Sequence, residues 1–278
     1  MTLDVWLQAV SAENPCGPNL EYDGDFLRLE EAATAKRAEE FQRDGGEVVR
    51  VEGKAVNWNE VRTLAEDLLG RSKDLRVAVY LTRALLHTDG FSGIADGLVL
   101  INGLCENFWD GVHPQLEEED QDATVRVNAL VPLGSLDSVV ADVRGSVVLK
   151  SRRYGQLTVR EIEVAHGRLK PAADTPVHSE AELAALLAAA AEENPESRRV
   201  AAHALASLKT LTATISERAG ASFVLDLKAL QTVLFNVDQA FAAALPENAE
   251  TGVAEGDAEE SDRSHDQMAV AGRSSTVA

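Results

Sequence analysis

The sequence predicts an all-α protein: a helical bundle followed by a helical extension, with one short β-hairpin near residues 147–158. Three observations carry this. Apolar residues recur at helical spacing over most of the chain. Caps, glycines and prolines interrupt that spacing where helices should start and stop. A single stretch, Ser146 to Leu157, alternates like paired strands. With 278 residues, 45% hydrophobic and 26% charged, the chain can bury a core, which excludes wholesale disorder.

Taken in order, Trp58, Val61, Leu64, Ala65, Leu68 and Leu69 fall on one face of a 3.6-residue repeat. Asn57 before them and Glu60 three residues on make a capping-box-like start, and Gly70 ends the run. The segment from about Leu75 to His87 is apolar nearly all round, so it belongs at the centre of the bundle. Ile94, Leu98, Ile101, Leu104, Cys105, Phe108 and Trp109 mark a third helix between Gly90/Gly93 and Gly111/Pro114. A fourth segment, Val125 to Val143, contains Pro132, which should kink or split it. Val147-Val148-Leu149 and Gln156-Leu157-Thr158 flank a turn at Arg153-Tyr154-Gly155, a hairpin signature.

After Pro171 the pattern returns to helix. Ser179 with Glu182 is a capping box, and Asn194-Pro195 ends one helix and starts the next. Val200, Ala204, Leu208, Leu211 and Ile215 stripe that next helix. Leu227, Leu230, Leu234, Val237 and Phe241 form a short a/d-type seam in the last. Packing within the same chain outweighs an intermolecular coiled coil, because the seam falls short of three heptads. Residues 246–278 hold no leucine, isoleucine or aromatic, and eight acidic residues against two basic ones. They cannot bury enough apolar area to offset ordering, so a flexible acidic linker or tail is expected. The expected organisation is therefore 1–170, 175–245 and 246–278.

The net charge of −20 repels phosphate backbones and anionic lipid heads. No local basic patch is evident, so nucleic-acid and membrane-surface binding are not expected. The longest apolar run, Leu183 to Ala191, is too short to cross a bilayer. The N-terminus lacks a signal-like basic and apolar region, and two widely separated cysteines, Cys16 and Cys105, fit a reducing cytoplasm. Cys105 sits on an apolar stripe, where burial as a small hydrophobe outweighs reactivity.

Motifs that would carry chemistry are not found. Gly45-Gly46 and Gly53-Lys54 are wrongly spaced for a phosphate loop, Ala55 stands where a hydroxyl is needed, and no apolar strand precedes them. The run 117–122 lacks the ligand spacing of an EF-hand and reads as a solvated loop. The six histidines form no i, i+3 or i+4 pair. No cofactor is expected. A metal-dependent hydrolase with a site assembled from scattered residues is the alternative reading, and a small-molecule sensor would need a ligand-sized apolar cavity in the bundle.

Two segments stand out instead. In Gly70-Arg71-Ser72-Lys73-Asp74-Leu75-Arg76, Ser72 is expected to cap a helix that starts near Lys73, with Asp74 in its first turn. Arg71, Lys73 and Arg76 form either ion pairs buried between helices or a docking surface for a protein partner. In Phe108-Trp109-Asp110-Gly111-Val112-His113-Pro114, the aromatic pair should plug the bundle end rather than serve as an exposed anchor.

These segments, with Asn14-Pro15-Cys16-Gly17, Leu20-Glu21-Tyr22-Asp23, Phe26, Trp58, Leu81-Thr82, Gly90-Phe91 with Gly93, and Arg126 with Asn128-Ala129-Leu130, resemble the ImpA-type N-terminal domain of the TssA family of type VI secretion components. The match covers roughly residues 11–165. The resemblance implies a cytoplasmic, non-enzymatic assembly protein that contacts baseplate, tube and sheath proteins as the contractile tail is built. Residues Arg71, Ser72, Lys73, Asp74, Arg76, Phe108, Trp109, Asp110 and His113 become its candidate docking or locking residues. Family members also carry a C-terminal ring-forming domain. No counterpart follows Phe241, so ring formation by this chain is not expected, while self-association through the helices before 245 remains open.

Overall fold

Side-chain caps fix where the helices begin. The computed structural model describes residues 3–36, 39–42, 48–116, 122–173, 175–220 and 223–245. Asp23 opens α1 (Gly24–Ala32) by accepting from Asp25 N, and Asn57 opens α2 (Trp58–Arg71) by accepting from Glu60 N. At α3 (Leu75–Thr88) the cap is Asp74, not Ser72: Asp74 accepts from Arg76 N. Ser72 is extended, and its hydroxyl donates to Pro18 O at 2.7 Å. The helix thus starts two residues later than expected, because Asp74 offers a cap while Ser72 and Lys73 are held by a neighbouring segment.

α3 is buried along most of its length and packs against α2 and α4 (Ser92–Phe108), the central position its sequence predicts. Gly97 lets α3 and α4 approach closely. A Cβ there would lie 2.3 Å from Thr82 Oγ1, well inside van der Waals contact. The fourth segment divides as expected into α5 (Thr124–Leu130), a 3-10 turn at Val131–Leu133 containing Pro132, and α6 (Val139–Gly145).

Among the described residues two antiparallel hairpins are present. β3 (Val147–Ser151) pairs with β4 (Gly155–Thr158), as the sequence predicts, and Thr158 then caps α7 (Val159–Ala165) with a full capping box. The other, β1 (Glu39–Gln42) with β2 (Val48–Val51), is not anticipated, since Glu-Glu-Phe-Gln has no strand-like alternation. β2 lies between Gly45-Gly46 and Gly53-Lys54, where it interrupts any phosphate loop.

The extension comprises α8 (Glu180–Glu193), α9 (Glu196–Ala219) and α10 (Lys228–Ala244). Ser179 and Glu182 form the expected capping box. α9 begins one residue after Pro195, and Asn194 Oδ1 accepts from Glu196 N at 3.2 Å. The α10 seam residues are buried inside this chain, and α9 packs on both α10 and α4. Residues to Leu245 form one compact unit. Thr214 of α9 donates to Asn102 Oδ1 of α4 at 3.0 Å. Glu163 of α7 is held by Arg144 Nε of α6 at 2.8 Å and by Asn236 Nδ2 of α10 at 3.0 Å. The proposed tail, 246–278, and the acidic run 117–121 lie outside the described residues.

Candidate functional site

The two segments singled out in the sequence meet inside the protein. Residues 16–18, 72–75 and 112–114 lie side by side, with Asp74 and His113 paired as an isolated parallel bridge. Lys73 N donates to Cys16 O at 2.7 Å, His113 N to Lys73 O at 2.8 Å, and Leu75 N to His113 O at 2.8 Å. Gly17 makes the first crossing possible. Its φ is +72°, and a Cβ would lie 2.2 Å from Arg71 O, so both the backbone region and the space call for glycine. The His113-Pro114 peptide is cis.

Cations then fill the gaps between the strands. Lys73 is 1% exposed, and its ammonium donates to Leu69 O near the end of α2 at 2.9 Å. Burial pulls its pKa down, partly opposed by the Cys16 thiol. Arg126 is fully buried. Its Nε donates to Pro114 O at 2.8 Å, its Nη1 donates to Trp109 O, and its guanidinium stands 5.0 Å from the Trp109 ring centre. Its Nη2 and the Nδ1 of His113 have no hydrogen-bond partner among the described residues. His113 Nε2 donates to Gly17 O at 3.1 Å, which makes that nitrogen the protonated one. Burial raises the Cys16 thiol pKa against the pull of Arg126 and Lys73. Cys105, wholly buried, is pushed up to about 12 by burial, as an inert hydrophobe should be.

Only the margins of this knot reach solvent. Arg71 spans Asp23 at 2.5 Å and Asp25 at 2.9 Å. Asp23 is held below the usual carboxylate range, chiefly by the hydrogen bond from Asp25 N and also by Arg71. Arg76 grips Asp74 at 2.8 Å and stands 4.7 Å from the Phe26 ring centre. Ser72, Lys73, Asp74, Trp109 and His113 are buried, Arg76 and Phe108 are half-buried, and Arg71 and Asp110 are exposed. Arg126 is the centre of the knot and is absent from the candidate residues. Its sequence signals are its place beside Asn128-Ala129-Leu130 in the family resemblance and its standing as a lone cation among Val125, Val127 and Leu130.

A second polar cluster sits toward the C-terminal end of α3. Asp142 accepts from Arg83 Nε at 2.7 Å and pairs with His87 Nε2 at 2.9 Å. His87 stacks on Trp58 at 4.1 Å. Beside it, a cleft of about 580 Å³ is lined by His87, Asp89, Asp142, Lys150 and Glu193, among others. Its size suits a ligand, but its charged lining at the bundle edge is not the apolar cavity a sensor would need. The dyad also lacks a nucleophile: among the described residues no hydroxyl is hydrogen-bonded to His87, and no group of three metal-ligating side chains occurs.

Comparison with known proteins places this geometry. Residues 7–135 match the family model described as ImpA, N-terminal, type VI secretion system. The type VI secretion system component TssA1 of Pseudomonas aeruginosa is 35% identical over 257 residues, spanning 92% of this chain and 73% of that protein. The chain belongs to the TssA family. The solved N-terminal domain, including the ImpA_N region, of the TssA component from Burkholderia cenocepacia superposes with a TM-score of 0.62. That likeness covers 87% of this chain and 93% of the other, at 23% identity, and it confirms the fold. The knot, from Cys16 to Arg126, lies wholly within the ImpA_N match. The β3–β4 hairpin and the helices α7 to α10 lie beyond it. Among the described residues no helix is long and apolar enough to cross a membrane.

Proposed function

We propose that this TssA-family chain is a non-enzymatic, cytoplasmic assembly component of the type VI secretion machine, docking onto baseplate, tube and sheath proteins while the contractile tail is built. The observation that carries this reading is how the ionisable side chains of the ImpA_N region are used. Lys73, Arg126 and His113 donate to backbone carbonyls between segments. Groups committed in this way hold chain segments together and are not presented to a substrate. The Arg71–Arg76 and Phe108–His113 segments therefore act as a structural lock, with Arg71 and Asp110 at its rim.

The test is retention of purified baseplate, tube and sheath proteins on the immobilised full-length chain. Retention of at least one supports the proposal, and retention of none overturns it. Self-association is checked by light scattering on the same material.

A further inference from the structure

Basic residues are unevenly spread along this acidic chain. Residues 144–170 contain Arg144, Lys150, Arg152, Arg153, Arg160, Arg168 and Lys170, but only Glu161 and Glu163 on the acidic side. The expectation of no basic patch fails here: three of these cations, Lys150, Arg152 and Arg153, are neighbours in the sequence itself. Arg144 is taken up by Glu163. Lys150, Arg152 and Arg153 stand exposed at the tip of the β3–β4 hairpin, and among the described residues none of the three has an ionic partner.

The tip is carried on a fixed base. Leu149 and Leu157, opposite each other in the ladder, are buried in the core. The Ser151 hydroxyl donates to Glu193 Oε1 at the end of α8 at 2.5 Å. The Arg153 guanidinium stands 5.0 Å from the ring centre of Tyr154, which is 39% exposed. Acidic residues outnumber basic ones 46 to 26 in this chain, so cations would be expected to find carboxylates close by. Lys150 shares a cleft with Glu193 yet makes no ion pair with it, and Arg152 and Arg153, beside the exposed tyrosine, pair with no carboxylate among the described residues, so their charge stays available to an acidic group.

We propose that the β3–β4 tip is a docking surface for an acidic segment of a partner protein, with Lys150, Arg152, Arg153 and Tyr154 as the contact. Charge complementarity selects this occupant. The rest of the molecule repels long polyanions and anionic membranes, whereas a short acidic segment needs only the potential within a Debye length of about 8 Å. Three cations also fall short of the roughly 6–10 phosphate contacts typical of tight nucleic-acid binding. That the partner belongs to the secretion machine rests on the function proposed above; the acidic chemistry does not.

The experiment is fluorescence anisotropy with a fluorescein-labelled glutamate dodecapeptide, a DNA duplex and phosphatidylserine vesicles as parallel probes. The glutamate peptide should bind the full chain in a salt-sensitive manner. Joint substitution Lys150→Glu, Arg152→Glu and Arg153→Glu should weaken it roughly tenfold or more. Lys209→Glu on the exposed face of α9 should leave it within about twofold. No binding of the peptide, or tighter binding of DNA or vesicles through the same three residues, overturns the proposal. The retention assay then separates the two readings. If the unaltered chain retains no secretion protein, the assembly role falls while the peptide result still decides the hairpin. If the chain and its triple variant retain the same protein equally, the hairpin proposal alone falls.

Discussion

Two basic clusters in this protein meet opposite fates. In the knot, Lys73 and Arg126 are removed from water and tied to the carbonyls of Leu69, Pro114 and Trp109. At the hairpin tip, Lys150, Arg152 and Arg153 stay in solvent with no ionic partner among the described residues. The same side-chain chemistry fixes the fold in one place and leaves charge available in the other. What separates them is burial. A desolvated cation must be satisfied by the groups around it, so it becomes part of the packing, whereas a hydrated cation keeps its charge available to an incoming partner.

Perturbing stability should divide the two clusters, beginning with the knot. Lys73→Glu sets a carboxylate against the Leu69 carbonyl in a buried site and should cost about 3–5 kcal/mol, on the order of 10 °C in melting temperature for a domain of this size. Lys73→Met keeps the volume without the charge and should cost less than about 1.5 kcal/mol. Equal losses from the two would show that the charge at Lys73 is not what matters. Arg126→Ala strands the Pro114 and Trp109 carbonyls and should cost roughly 2–5 kcal/mol by denaturant unfolding. An unchanged midpoint would remove Arg126 from the lock.

A smaller effect is expected where the bundle meets the extension. Glu163→Ala deprives Arg144 and Asn236 of their shared acceptor, and a loss of about 1–3 kcal/mol is expected. Faster amide exchange in α10 should accompany it, because α10 is one of the two elements that Glu163 pins. Exchange unaltered in α10 would separate the pin from the packing of the extension.

His166 gives a weaker, pH-dependent signal. Its pKa is depressed below the usual histidine value, first by burial and then by Arg168, with Glu180 opposing. The unfolded chain therefore takes up the proton at higher pH than the folded one. The neutral ring's stabilisation is fully present above the ordinary histidine pKa near 6.5 and is lost as pH falls through the lower folded value. His166→Gln should flatten this acid-side slope, as read by melting temperature from neutral to mildly acidic pH. A slope that stays the same would assign the acid sensitivity to other groups. The smallest change in stability is expected from the triple hairpin substitution, within about 0.5 kcal/mol per exposed site, even though its effect on binding should be the largest.

Much of the fold was legible from spacing alone. The stripe from Trp58 to Leu69, the all-round apolar α3, the break at Pro132, the 147–158 hairpin and the inward seam of α10 all follow from local periodicity and caps. The β1–β2 hairpin was not legible, because its first strand reads Glu-Glu-Phe-Gln and its pairing comes from register, not pattern. The candidate residues were found as a set, but their roles were not. Nothing in the Arg-Ser-Lys-Asp-Leu-Arg run distinguishes a lysine that points into a core from one that points at a partner.

The sequence by itself determined the helical class, the starts of α2 and α8 and the membership of the motif segments, since caps and 3.6-residue spacing act over neighbouring residues. Only the tertiary structure decided that Asp74 rather than Ser72 caps α3, that Arg126 ties Trp109 to Pro114, and that the three cations at 150–153 make no ion pair among the described residues. Each of those outcomes depends on residues more than ten positions away. Whether a polar group is desolvated, and what satisfies it, is settled by which segments pack together.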